Sequence, residues 1–163
     1  MAIDLQQFCI KEPCRYAINK PFMQRGCLYA TDGRIAIRTK MDGPDSHDKV
    51  PNAHALFAKY TWTKLKPLPP LKLKCSACGG TGYVTCPTCK CDHACEQCDG
   101  QMPSDPVRLF GYLFDPHCLA LVASIPDVKA KCADTGDKDS LGNKAFALVF
   151  GNGQYQGILY PMV

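Results

Sequence analysis

Three Cys-x-x-Cys pairs, Cys75/Cys78, Cys86/Cys89 and Cys95/Cys98, fall within 24 consecutive residues, and no other feature of the chain restricts its fold as tightly. A Cys-x-x-Cys turn places two thiolates on one side of a tight loop, close enough to share a tetrahedral zinc at about 2.3 Å each, and a second pair completes the shell. The rival chemistry, a redox dithiol, needs a strand–helix–strand setting that this short glycine-rich stretch lacks. Cys91 and His93 lie between the second and third pairs. They raise the ligand set to eight, which fits two closed four-ligand sites. Two groupings stay open. In the nested one, Cys75, Cys78, Cys95 and Cys98 hold an outer zinc and Cys86, Cys89, Cys91 and His93 an inner one. In the sequential one, Cys75, Cys78, Cys86 and Cys89 form the first site and Cys91, His93, Cys95 and Cys98 the second.

The whole chain has 12 cysteines in 163 residues. Its first residues carry an acid, Asp4, where a secretory leader has basic residues, and no run approaches the ~18 apolar residues of a membrane span. A soluble, cytoplasmic protein is expected. In such a reducing compartment the thiols divide between metal ligands and buried small hydrophobes. Cys9, Cys14, Cys27, Cys118 and Cys132, mostly flanked by apolar residues, are assigned to the core.

Charge divides the chain into three. Residues 1–74 carry 13 basic and 6 acidic side chains, residues 75–101 carry 1 and 3, and residues 102–163 carry 5 and 6. Binding of two zinc ions by seven thiolates would lower the formal charge from +4 to near +1 and leave the cysteine module distinctly acidic. Residues 64–74 mix prolines with alternating Leu and Lys and are expected to run extended as a linker to the module at 75–101. The flanks, 1–63 and 107–163, read as one α+β domain.

Its elements follow from local signals. Ile3, Leu5, Phe8 and Cys9 recur at roughly helical spacing and, with Asp4 as cap, predict a short helix. Residues 27–31 and 34–38 form a hairpin about Asp32-Gly33, the pair supplying positive φ angles. Asn52 caps a helix with Leu56, Phe57 and Tyr60, and 42–48 is a loop. Residues 107–114 suit one strand; Asp115-Pro116 then starts a helix that buries Leu119, Val122 and Ala123 and ends at Ile125-Pro126. Residues 145–150 and 155–162 form a last hairpin about Gly151-Asn152-Gly153, with Phe146, Leu148 and Phe150 on one side. A helix followed by a hairpin in each flank hints at a duplicated unit.

Two resemblances emerge from these residues. Cys-x-x-Cys-x-Gly-x-Gly, complete at 75–82, resembles the cysteine-rich zinc domain of DnaJ-type chaperones, where four such repeats bind two zincs in nested pairs. Here one repeat is full and two are partial, Cys91 and His93 standing where another repeat would be. The His-Pro-Asp tripeptide is absent, which argues against a co-chaperone driving an Hsp70-type ATPase. Residues 29–38, the Phe114-Asp115-Pro116-His117-Cys118-Leu119 step and the closing Gly157–Val163 are similar to one domain of bacterial DNA sliding clamps. That likeness implies a clamp-like body over 1–60 and 107–163 with the zinc module inserted between its halves. It also implies a DNA-metabolism setting, in the small, fused design of a phage- or prophage-encoded protein. A single such domain encircles DNA only if it assembles with others, and the sequence leaves its oligomeric state open.

Enzyme chemistry finds little footing. His54-Ala55-Leu56 and His93-Ala94-Cys95 lack the Glu of zinc deaminases, and there is no His-Glu-x-x-His, phosphate loop or Gly-x-Ser-x-Gly. Eight ligands for two metals leave no open coordination position. His47, His54 and His117 have no ligand spacing. The expectation is a non-catalytic binding protein, with a protein partner for the zinc module through Tyr83 and Val84 and with no membrane. DNA is a further candidate, for the basic half, where Arg15, Lys20, Arg25, Arg34, Arg38, Lys40, Lys64, Lys66, Lys72 and Lys74 would meet phosphates. The alternative is DnaJ-like binding of unfolded polypeptides.

Overall fold

The structure, a computed structural model, describes residues 3–11, 15–71, 83–96, 106–138 and 142–162. Asp4 caps the first element as expected, its carboxylate accepting the Gln6 N–H at 3.0 Å. With one turn to offer, Leu5–Phe8 winds as a 3₁₀ helix, and both named residues are buried. Three antiparallel strands follow: β1 (Phe22–Gln24), β2 (Cys27–Thr31) and β3 (Ile35–Lys40). Arg25 and Gly26, at φ 50° and 71°, close the first turn. In the second only Gly33 has a positive φ, while the Asp32 carboxylate accepts the N–H groups of Arg34 and Ile35. Helix α1 (Ala53–Ala58) begins at Asn52, whose side chain accepts the Ala55 N–H; Tyr60 lies just beyond its end.

Residues 64–71 differ from the expected free linker. Lys66–Pro67 is a short strand, β4, paired with Ala130 and Lys129, and Leu68 and Leu71 pack on the core. This segment belongs to the body as its edge, where proline is tolerated because no N–H is required of it. The module contributes one described hairpin, β5 (Tyr83–Thr85) with β6 (Asp92–Ala94).

Residues 107–114 make two strands where one was predicted. β7 (Val107–Leu109) and β8 (Tyr112–Phe114) pair about a turn in which Phe110 and Gly111 have φ 51° and 90°. Helix α2 (Pro116–Ala123) starts at Asp115, whose carboxylate accepts the N–H groups of His117 and Cys118. It buries Cys118, Leu119 and Val122; Ala123 is exposed, one position past the apolar stripe. Three long strands complete the chain: β9 (Lys129–Lys138), β10 (Lys144–Gly151) and β11 (Tyr155–Leu159).

The main sheet has the order β1-β2-β3-β11-β10-β9-β4, antiparallel throughout. Each half contributes a helical turn and a three-stranded meander, and the last strands of the two meanders, β3 and β11, meet at the centre. The turn into β11 repeats the turn into β3. Asn152 accepts the N–H groups of Gln154 and Tyr155, as Asp32 accepts those of Arg34 and Ile35, and the residue before each glycine donates its N–H to the carbonyl three residues on.

Strand alternation sends side chains to two cores. On one face Ala30, Ile35, Ile37, Leu148, Phe150 and Leu159 pack under the 3₁₀ turn and α2. On the other Tyr29, Ala36, Ala147, Val149 and Ile158 pack under Phe57 of α1, with Ile18 and Tyr60. Phe150 faces Gly157 across the β10–β11 ladder, and a Cβ at Gly157 would overlap the phenyl ring. Gly157→Ala should therefore lower stability by about 1–3 kcal/mol, whereas Gly153→Ala, where a Cβ meets open space, should stay within about 0.5 kcal/mol. Urea unfolding of both variants measures this, and equal midpoints would contradict the packing of Phe150 over Gly157.

Candidate metal centre

The β5–β6 hairpin brings three ligand atoms together by backbone means. Tyr83, Val84 and Thr85 pair with Ala94, His93 and Asp92, and the Thr85 hydroxyl donates to the Asp92 carboxylate at 2.7 Å. Beyond the last pair, the Cys86 N–H donates to the Cys91 carbonyl at 2.9 Å and the Lys90 N–H to the Cys86 carbonyl at 3.0 Å. Lys90, at φ 61°, turns the loop back in the left-handed region. Cys86 and Cys89 thus lie at the neck and far side of one tight loop, and His93 stands on the returning strand.

The sulfurs of Cys86 and Cys89 and a ring nitrogen of His93 all lie within 4.8 Å of one another. Around a tetrahedral zinc, sulfur and nitrogen ligands stand about 3.6 Å apart and two sulfurs about 3.8 Å. Cys89 Sγ and His93 Nε2 are 3.9 Å apart, so a metal requires adjustments of tenths of an ångström at that pair. The donor set, two soft thiols and an imidazole, suits zinc. Backbone N–H groups of Cys89 and then Thr88 point at the Cys86 sulfur and lower its pKa, favouring the thiolate that metal binding needs.

The other expected ligands are distributed differently. Cys91, exposed, turns its sulfur to the Cys89 carbonyl at 3.7 Å and does not join the three. Cys95 is buried, with 1% exposure, and is likewise outside the group. Cys75, Cys78 and Cys98 lie outside the described residues, as does Cys14 among the cysteines assigned to the core. Cys9 and Cys118 are buried; Cys27 and Cys132 are half-buried. Burial raises the thiol pKa of Cys9 and Cys132 and pushes that of Cys118 up to about 12.

The described basic candidates do not converge on one surface. Lys20 pairs with Asp48 at 3.0 Å and Arg34 with Asp115 at 3.4 Å. Arg15 stacks over Tyr16, and Arg25 occupies the β1–β2 turn. Lys64, at φ 59°, and Lys66 belong to the edge segment, on the opposite side of the sheet from β1, and Lys72 and Lys74 lie outside the described residues. Arg38 and Lys40 share one cleft. The partners that fix Arg38, Tyr29, Phe57, Trp62 and Gln156, had no signal in the sequence, because Gln156 is 118 residues away and only the β3–β11 register brings it alongside.

No described helix is long and apolar enough to cross a membrane. Compared with known proteins, the chain matches no family model, no curated sequence and no solved structure.

The thiols give the centre a direct test. In chelator-treated protein at about pH 8, iodoacetamide should modify Cys86 ahead of the buried Cys9 and Cys118, and Cys118 only on unfolding, because alkylation follows thiolate content and exposure. Added zinc should then protect Cys86 and Cys89 together. Mass mapping that finds either cysteine as reactive with zinc as without it would contradict a shared metal.

Proposed function

We propose that the protein is a non-catalytic, zinc-stabilised interaction module, in which an α+β body carries a metal-braced hairpin that binds a protein partner in DNA metabolism. The observation that carries this reading is the pairing of the Cys86/Cys89/His93 group with two exposed apolar side chains on the same hairpin, Tyr83 at 58% exposure and Val84 at 41%. A two-stranded ribbon has too little core to hold its own shape, and a metal at its neck supplies that constraint. Large apolar side chains kept in water on such a ribbon are the anchors a protein interface uses.

The convergence of His93 with Cys86 and Cys89 supports the nested grouping, since the sequential one assigns His93 to the other metal. The fourth inner position falls to Cys91, which exchanges its contact with the Cys89 carbonyl for the metal. Cys75, Cys78, Cys95 and Cys98 would hold the second zinc. The clamp-like reading of the body is supported by its two meanders joined through β3 and β11 and by the repeated turns that lead into those strands. A second reading, contact with nucleic acid, is favoured by Arg38 and Lys40, which share a cleft and form no ion pair with any described carboxylate.

Affinity capture from a host lysate with zinc-loaded protein tests the first reading. Tyr83→Ser with Val84→Ser should lose the specific partner while zinc content and thermal unfolding stay unchanged. Retention of every captured protein by that variant would remove the hairpin as the binding surface.

A further inference from the structure

Arg38 is held by uncharged partners on several sides. Its Nε and Nη2 both donate to Gln156 Oε1, at 3.0 and 2.7 Å, and Nη1 reaches the Tyr29 hydroxyl at 3.5 Å. The guanidinium carbon lies 4.8 Å from the Phe57 ring centroid and 5.8 Å from that of Trp62, and these two rings are themselves stacked. The plane of the charge is therefore fixed by a neutral amide, a phenol and two aromatic faces, and no described carboxylate lies within ion-pair distance. A guanidinium has five N–H groups. Three are engaged here, leaving two for a ligand.

Arg38 also lines a surface with more to offer an anion. Arg38 opens on a cleft of about 480 Å³ that also holds Thr39, the exposed Lys40, Gln156, and the Gly153-Gln154 turn between β10 and β11. Lys40 likewise has no described carboxylate partner. The Thr39 hydroxyl donates to the Gln154 carbonyl at 3.1 Å and ties strand and turn together. Among the described residues that line the cleft, which include the half-buried Cys27, there is no carboxylate and no large apolar side chain, so they suit a small polar anion and offer no wall for a base or an aliphatic body. A planar guanidinium beside a flexible ammonium is the pairing that grips a phosphate, one by a fixed fork and the other as a point charge.

We propose that the Arg38–Lys40 cleft is a phosphate-binding site that grips one backbone phosphate of a nucleic acid without reading its bases. This rests on the second reading above and gives it a place on the molecule. Arg38 acts as a rigid fork, already oriented before the ligand arrives, and Lys40 closes over the phosphate from the open side. Contact with phosphate alone makes the binding sequence-independent and dependent on salt.

The test uses the full zinc-loaded chain. Inorganic phosphate should shift the backbone amide resonances of Thr39, Lys40, Gly153 and Gln154. A short DNA duplex should bind, and Lys40→Gln should weaken it about tenfold at low salt and reduce the slope of log affinity against log salt by about 1. Lys144→Gln, an equal charge change at a residue paired with Asp134, should do neither. Arg38→Lys keeps the charge and loses the fork; if it stays folded, it should bind duplex about as weakly as Lys40→Gln. Duplex binding with Lys40→Gln and Lys144→Gln indistinguishable would overturn the cleft and leave the nucleic-acid reading standing. Phosphate shifts at these four amides without duplex binding would keep the site, assign it to free phosphate and remove that reading. Neither shifts nor duplex binding would overturn both.

Discussion

The ladder between β3 and β11 is the interaction on which the rest of the structure depends. It joins two meanders that are far apart in sequence, and its register, from Ile35 opposite Leu159 to Thr39 opposite Tyr155, decides which side chains enter which core. A slip of one residue would turn Ile35 and Ile37 away from α2 and bring Ala36 and Arg38 in their place. Across the ladder Arg38 donates to Gln156 Oε1, the Thr39 hydroxyl donates to the Gln154 carbonyl and the Tyr160 N–H to the Arg34 carbonyl, while the fit of Phe150 over Gly157, which only a residue without Cβ permits, seats β11 against β10. The same register sets Arg38 beside Gln156, so the orientation of a surface charge follows directly from the central pairing.

Much of this was legible locally. Asp4, Asn52 and Asp115 announced their helical turns because a cap is a short-range hydrogen bond between a side chain and N–H groups two or three residues on. The hairpins about Asp32-Gly33 and Asn152-Gly153 were visible for the same reason. Strand β9 was not, because Lys129–Lys138 is polar along most of its length and becomes a strand through its neighbours β10 and β4. The Phe110-Gly111 turn was hidden inside an apolar run, and an aromatic residue at positive φ is one that propensity argues against. The linker lost its independence for a tertiary reason, since Leu68 and Leu71 find the core beside α2 and β9.

The candidate metal centre divides in the same way. Cysteine spacing marked Cys86 and Cys89 as candidate ligands, but their approach to His93 depends on the loop from Cys86 to Cys91, whose two backbone hydrogen bonds and positive φ at Lys90 carry Cys89 back toward His93. The basic residues, read as one candidate surface, separate by partner. Lys20 and Arg34 are neutralised by aspartates, and an exposed pair of this kind contributes little to stability. Arg38 has uncharged partners that hold it in place, with no ion pair to a described carboxylate.

The grouping of Cys86, Cys89 and His93 on one metal is the central claim, and cadmium-113 substitution addresses it residue by residue. Scalar couplings from one cadmium to the β-protons of Cys86 and Cys89 and to the ring protons of His93 are the predicted result. A cadmium coupled to Cys86 and Cys89 together with Cys75 and Cys78, and not to His93, would contradict it.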